Sequence, residues 1–331
     1  VMNQKVITVI LALIIVGGLA WYFNRNYLQP SNKPGETQSF TSSSPGKSTG
    51  QTSGNLVYAV FGNTQEIWMA NSLGQKKKLF TDADETEKII KLSNLAPLSR
   101  EVLAITSVDK GASSGKLEVI NLDNAKKEIL QPSFVVSSSI NVSADGKDIA
   151  YIKFSNVEEN YGYTLYSQKR TGFNIRELVR SSSEIRLPAW NKDSTKIAFV
   201  KIDGTKSELE VISQEGGEAS SIASFSDKII DWLSWDKSDN IILSLRKIGE
   251  SGKSEIISVS SQGKNLQNLT ETDGGMANFV YLSKDSWLGY LIGQYQDKVS
   301  ENLAGQIYFQ NLQMKEKIPL QKGNQILGWL P

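Results

Sequence analysis

An all-β fold built from repeated units is the class this sequence predicts, and three observations carry it. A short apolar run recurs six times, opening at Leu56, Val102, Ile149, Ile197, Ile241 and Leu288, with starts 46, 47, 48, 44 and 47 residues apart. Every run is uncharged and bounded by turn residues, the pattern of a strand buried on both faces. Further strand-like segments accompany each run at matching offsets, so that four strands fill each period. That is the repeat of a propeller blade.

The companion segments follow in order. After each apolar run and a loop comes a partly alternating strand: EIWMAN from Glu66, KLEVIN from Lys116, YTLYSQ from Tyr163, ELEVIS from Glu208, EIISVS from Glu255 and QIYFQN from Gln306. A shorter strand closes each unit: KKLF, KEIL, RELV, SSIA, QNLT and EKIPL, opening at Lys77, Lys127, Arg176, Ser220, Gln267 and Glu316. Five runs also have a strand before them: NLAPLS from Asn94, SINVSA from Ser139, RLPAWN from Arg186, IDWLSW from Ile230 and NFVYLS from Asn278. The first unit lacks this leading strand. ILGWLP at 326–331 matches it, so the expectation is a six-bladed propeller over 55–331, closed by its last strand with no open sheet edge.

The turns between leading strand and apolar run read Ser-Ala-Asp-Gly-Lys at 143–147, Asn-Lys-Asp-Ser-Thr at 191–195 and Ser-Lys-Asp-Ser at 283–286. Asp is expected to cap its own turn and Gly to accept a positive φ. With LPAWNKDSTKIAFV at 187–200 and SADGKDIAYI at 143–152, the chain resembles the TolB-like, WD40-like β-propeller repeats. The resemblance implies a fold rather than a function. TolB carries an additional α/β domain ahead of its propeller, so the resemblance does not carry over its place in an envelope complex.

Ahead of the repeats, residues 6–23 are apolar except for one Thr and one Tyr, and about 18 residues at 1.5 Å rise span roughly 27 Å. The expectation is a transmembrane anchor over 1–23, with Trp21 and Tyr22 at an interface. The competing reading is a cleaved signal peptide ending near Gly18-Leu19-Ala20. Residues 24–54, rich in Ser, Thr, Gly and Pro, read as a disordered linker. The preferred topology is single-pass, N-terminus in and C-terminus out, with the propeller extracytoplasmic.

Composition narrows the function. The chain of 331 residues has no Cys and no His, and 36 Lys+Arg balance 35 Asp+Glu. Thiolate and imidazole chemistry are therefore absent, and with them His-based triads and the usual zinc sites. A net charge of +1 argues against nucleic acid as partner. Gly111 to Gly115 is a literal G-x-S-x-G, but it joins two strands and lacks a histidine partner, so it reads as a hairpin loop. Gly252-Lys253-Ser254 and Gly46-Lys47-Ser48 lack the earlier glycine of a phosphate loop. The acidic run at 82–87 opens like a calcium loop without its glycine or distal glutamate, so no metal is expected. Trp190, Trp232, Trp235 and Trp329 recur at one strand position and read as blade core rather than sugar platforms.

Long loops on a rigid scaffold concentrate contacts. Those at 107–115, 153–162, 246–254 and 293–305, with the connection at 82–87, should share one rim around the central mouth. The candidate contact set is Tyr161, Tyr163, Glu158, Glu159, Arg246, Lys247, Tyr295, Asp82 and Asp84, with no catalytic residue and no cofactor. The expected activity is non-catalytic binding of an envelope protein or cell-surface polymer by a monomeric propeller. The alternative is a carboxylate-based glycan-processing enzyme at the channel mouth, which needs two carboxyl groups about 5–10 Å apart.

Overall fold

The structure, a computed structural model, describes residues 54–330 apart from 85, 110–111, 113, 136–139, 251 and 294–304. The apolar run at 6–23 and the linker lie outside the described residues. Within them, no helix is long and apolar enough to cross a membrane.

Twenty-four strands form six antiparallel four-stranded sheets. Blade one is β1 (Asn55–Phe61), β2 (Gln65–Ala70) and β3 (Lys76–Asp82), completed by β24 (Gln325–Leu330). Blade two is β4 (Lys88–Ala96), β5 (Glu101–Ser107), β6 (Ser114–Asn121) and β7 (Lys126–Val135). Blade three is β8 (Asn141–Val142), β9 (Asp148–Ser155), β10 (Gly162–Lys169) and β11 (Arg176–Ser181). Blade four is β12 (Glu184–Trp190), β13 (Lys196–Asp203), β14 (Lys206–Ser213) and β15 (Ser220–Ser226). Blade five is β16 (Lys228–Trp235), β17 (Asn240–Lys247), β18 (Lys253–Ser260) and β19 (Gln267–Asp273). Blade six is β20 (Met276–Leu282), β21 (Trp287–Gly293), β22 (Gly305–Asn311) and β23 (Lys317–Gly323).

The apolar runs form the second strand of every blade and are buried almost throughout: Leu56 to Ala59, Val102 to Ile105, Ile149 to Ile152, Ile197 to Val200 and Ile241 to Leu243 are 0–1% exposed. Both of their faces pack on neighbouring blades, which is why they carry no charge. β24 pairs with β1, Asn55 opposite Leu330 and Leu56 opposite Trp329, so the C-terminal strand closes the ring as the sequence predicted.

The innermost strands depart most from expectation. β4 begins at Lys88, six residues before NLAPLS does, and stops at Ala96, three residues before its end, because Pro97 to Arg100 turn and Arg100 has φ 55. In blade three, the described residues of SINVSA yield only β8. In the turns it is the first residue that caps. Ser143 Oγ accepts from the Asp148 N–H (2.9 Å), Asn191 Oδ1 from Thr195 and Lys196 (2.9 Å each), and Ser283 Oγ from Trp287 (3.1 Å). Asp145 does cap its own turn, accepting from Lys147 (3.2 Å), and Gly146 has φ +76.

Side chains join each innermost strand to the next. Asn94 bonds the Val142 main chain both ways (3.0 and 2.7 Å), and Asn141 accepts from the Trp190 N–H (3.1 Å). The Trp235 indole donates to Ala189 (2.9 Å), Ser234 to Val280 (2.6 Å), the Trp329 indole to Tyr281 (3.1 Å) and Gln325 to Leu92 (3.2 Å). These six links close a circuit around the channel.

Candidate functional site

Antiparallel pairing puts the connections between second and third strands at the same end of the molecule as the connections between blades. Hydrogen bonds across that rim confirm it: Gln65 Nε2 to the Ile89 carbonyl (2.7 Å), the Ile248 N–H to Asp227 (2.9 Å) and the Gly274 N–H to Gly252 (2.9 Å). Gly115 and Gly305 sit where these loops return to the sheet. A Cβ on either would lie 2.1 or 2.4 Å from the carbonyl oxygen of Thr106 or Ile292, so only glycine fits there.

At this rim the channel opens into a funnel of about 310 Å³. Its wall is mainly apolar, with Trp232 and Phe279 in contact at 4.6 Å between ring centroids and Leu92, Ile140 and Met276 beside them. Beside Asn94, Asn141 and Asn324, its polar lining follows a rule of the repeat. Leu95, Trp190, Trp235, Leu282 and Trp329 pair with Val102, Ile197, Ile241, Leu288 and Leu56, the residues that open the apolar runs. Four positions before them stand Lys91, Arg186, Asp231, Asn278 and Gln325, and all five line the funnel. The matching position of blade three, Ser138, lies outside the described residues.

Asp231 is the most constrained member. It accepts from Arg246 Nε (3.0 Å) and Nη2 (3.3 Å), with side chains only 5% and 15% exposed. Burial raises its pKa above the ordinary aspartate value, with Arg246 and then Arg186 acting in the opposite direction. The far half of the channel, about 420 Å³, is lined by Trp190, Trp235, Trp329 and Tyr281. Three of the four repeated tryptophans thus serve the seams between blades, and Trp232 faces the funnel.

The expected contact residues separate into three places. Arg246 is bonded to Asp231 of the funnel wall, and its neighbour Lys247 is exposed and paired with Glu250 (2.7 Å). Asp82 is buried between blades one and two against Lys127 (3.1 Å), which also approaches Glu118 (3.5 Å). Asp84 accepts from the Thr86 hydroxyl (2.7 Å) and from the Thr86 and Glu87 N–H groups, which lower its pKa to about 2. Glu158 and Glu159 lie in a single 3-10 turn beside Tyr161 and Tyr163, in blade three. Tyr295 lies outside the described residues. Sequence reasoning missed Lys91, Arg186, Asp231 and Asn278, although aligning the six leading strands on their last core residue would have stacked them in one column.

No protein-family model matches the chain. Short stretches are similar to the Tol-Pal system protein TolB of Methylococcus capsulatus, 33% identical over 70 residues, and of Hydrogenovibrio crunogenus, 30% over 77 residues. Those stretches cover 21% and 23% of this chain but only 16% and 18% of the relatives, so the match spans less than a fifth of their length. Among solved structures, TolB from Acinetobacter baumannii superposes with a TM-score of 0.60 at 14% identity, over 84% of this chain and 67% of that one. The fold is that of the TolB propeller. The same architecture recurs in a nidogen/laminin complex (TM-score 0.57, 11% identity, 83% of this chain and 96% of that one). It recurs again in an oligogalacturonate lyase in complex with manganese (0.53, 10%, 78% and 71%). The same architecture thus occurs in a protein of a nidogen/laminin complex and in a lyase, so the fold alone assigns no activity.

Proposed function

We propose that the protein is a non-catalytic binding module, tethered to a membrane by residues 1–23 and a linker over 24–54, with its propeller outside the cytoplasm. Its partner is an envelope protein received at the loop-side funnel. One observation carries this reading: among the described residues that line the funnel there is one carboxylate, Asp231, and it is already held by Arg246. Hydrolysis of a glycan needs two carboxyl groups across the scissile bond. An apolar wall with a few convergent polar groups suits recognition instead. The similarity to Tol-Pal system proteins supports an envelope setting.

The test is capture from solubilised envelope fractions. Asn278→Trp, which fills the funnel from β20, should abolish recovery of a partner that the unaltered protein retains. Lys192→Glu, on the opposite face, should leave recovery intact. Equal recovery with Asn278→Trp, or loss with Lys192→Glu, would place the working surface elsewhere.

A further inference from the structure

Blade three carries an aromatic cluster outside the funnel. The register of β9 on β10 sets Phe154 directly across from Tyr163, with ring centroids 4.8 Å apart. The 3-10 turn at Glu158–Asn160 then folds the connection back, so that Tyr161 meets Phe154 edge-on at 5.7 Å. Tyr163 is half-buried against the core, and the two rings that pack on each other beside it stand out from it: Phe154 is 42% exposed, and Tyr161 and Val157 are each 59% exposed. Isolated exposed apolar side chains are ordinary, but a contiguous group on a loop rim marks an interaction surface.

Its border is acidic. Glu158 and Glu159 are exposed on the turn, and Glu184 opens β12 alongside. Burial first, and then the charges of Glu184 and Tyr161, raise the pKa of Tyr163, which places Glu184 within electrostatic reach of the rings. Among the described residues none of these three carboxylates is in a salt bridge. The nearest lysine in the chain, Lys153, points through the sheet to the other face, where its ammonium lies 5.4 Å from both Tyr151 and Tyr166.

We propose that this patch docks a basic extended segment of a partner protein, with Lys or Arg side chains lying on the faces of Tyr161 and Phe154 and ending at Glu158, Glu159 and Glu184. Charge complementarity selects this occupant. A cation within about 6 Å of a ring face is attracted by the ring quadrupole, and it also relieves the repulsion among the three carboxylates. A neutral glycan would use the rings but gain little from the charges, and an anionic polymer would be repelled. The proposal does not rest on the funnel, which these residues do not line.

The experiment titrates a fluorescein-labelled Arg-Gly repeat peptide into the full-length protein at low and high salt. A labelled chitotetraose forms a parallel arm, and sedimentation velocity follows self-association. The expected result is saturable peptide binding that weakens with salt. Tyr161→Ala and the pair Glu158→Gln with Glu159→Gln should each lower affinity roughly two- to fivefold. Tyr161→Phe, which keeps the ring, should restore binding, and Lys192→Glu should have no effect. Circular dichroism melts check that each variant is folded. Peptide binding indifferent to Tyr161→Ala or to the glutamine pair would overturn the proposal, as would chitotetraose binding lost with Tyr161→Ala, or dimerisation abolished by it.

Discussion

Tyr58, Tyr151 and Tyr290 occupy one repeat position but differ in how their hydroxyls are satisfied. Across the second and third strands they face Trp68, Tyr166 and Tyr308. Two residues beyond those partners, Gln168 accepts from Tyr151 (2.8 Å) and Gln310 from Tyr290 (3.0 Å). Blade one has Ala70 at that position, and the buried Tyr58 hydroxyl has no hydrogen-bond partner. A buried polar group without a partner costs about 1–3 kcal/mol, whereas a made hydrogen bond contributes about 1 kcal/mol. Tyr58→Phe should therefore leave urea stability unchanged or raise it by about 1 kcal/mol, while Tyr151→Phe lowers it by about as much. The reverse order would show that the two hydroxyls are not distinguished by Gln168 and Ala70. Asp231 offers a second residue-scale test. Burial raises its folded-state pKa above the ordinary value, so the folded protein takes up this proton more readily than the unfolded chain. Its ionised form therefore weighs against folding above that raised pKa, and the penalty fades as pH falls toward the unfolded value. Compared with Asp231→Asn in urea titrations, the unaltered protein should gain relative stability between pH 7 and pH 4. A relative loss over that range would contradict the assigned shift.

Elements differ in how openly the sequence declares them. The second strands were legible because neighbouring blades cover both faces, and burial on both sides leaves an uncharged run. The innermost strands were legible in their closing halves, as RLPAWN, IDWLSW and NFVYLS show, but not in their openings. One of their faces looks into the channel and holds Lys91 and Asn94, and β4 is further broken by register shifts between Ile89 and Lys91 and between Leu92 and Leu95. Polar residues and bulges erase the period-two signal that would mark such a strand. The same cause hid the funnel lining, since a single Asp or Asn in a leading strand means nothing until six strands are superimposed. Phe154 was hidden for another reason: it ends an apolar-looking strand, and only the turn at 158–160 leaves it in water. β24 was legible for its own reason, because the missing leading strand of blade one was itself a signal. Deleting residues 325–331 should remove its pairing with β1 together with the Trp329–Tyr281 and Gln325–Leu92 links. The exposed edge of β1 should then drive aggregation or a fall in melting temperature. A truncated protein that melts like the intact one would mean that blade one holds without its closing strand.

At the scale of the whole propeller, the features that hold the ring and the features proposed to bind lie in different places. Seams, turns and the circuit of inner-strand hydrogen bonds fix the ring, while the loop-side rim carries the funnel and the blade-three patch. Blade one adds an asymmetry of its own. Asn55 and Leu330 are paired neighbours, and both lie at the end of the ring where the leading strands turn into the second strands. That end is opposite the funnel. Whatever precedes residue 55 or follows residue 330 therefore joins the ring from behind, like the stem of a dish. A label or solid support joined at either end of the ring therefore leaves the funnel and Tyr161 unobstructed.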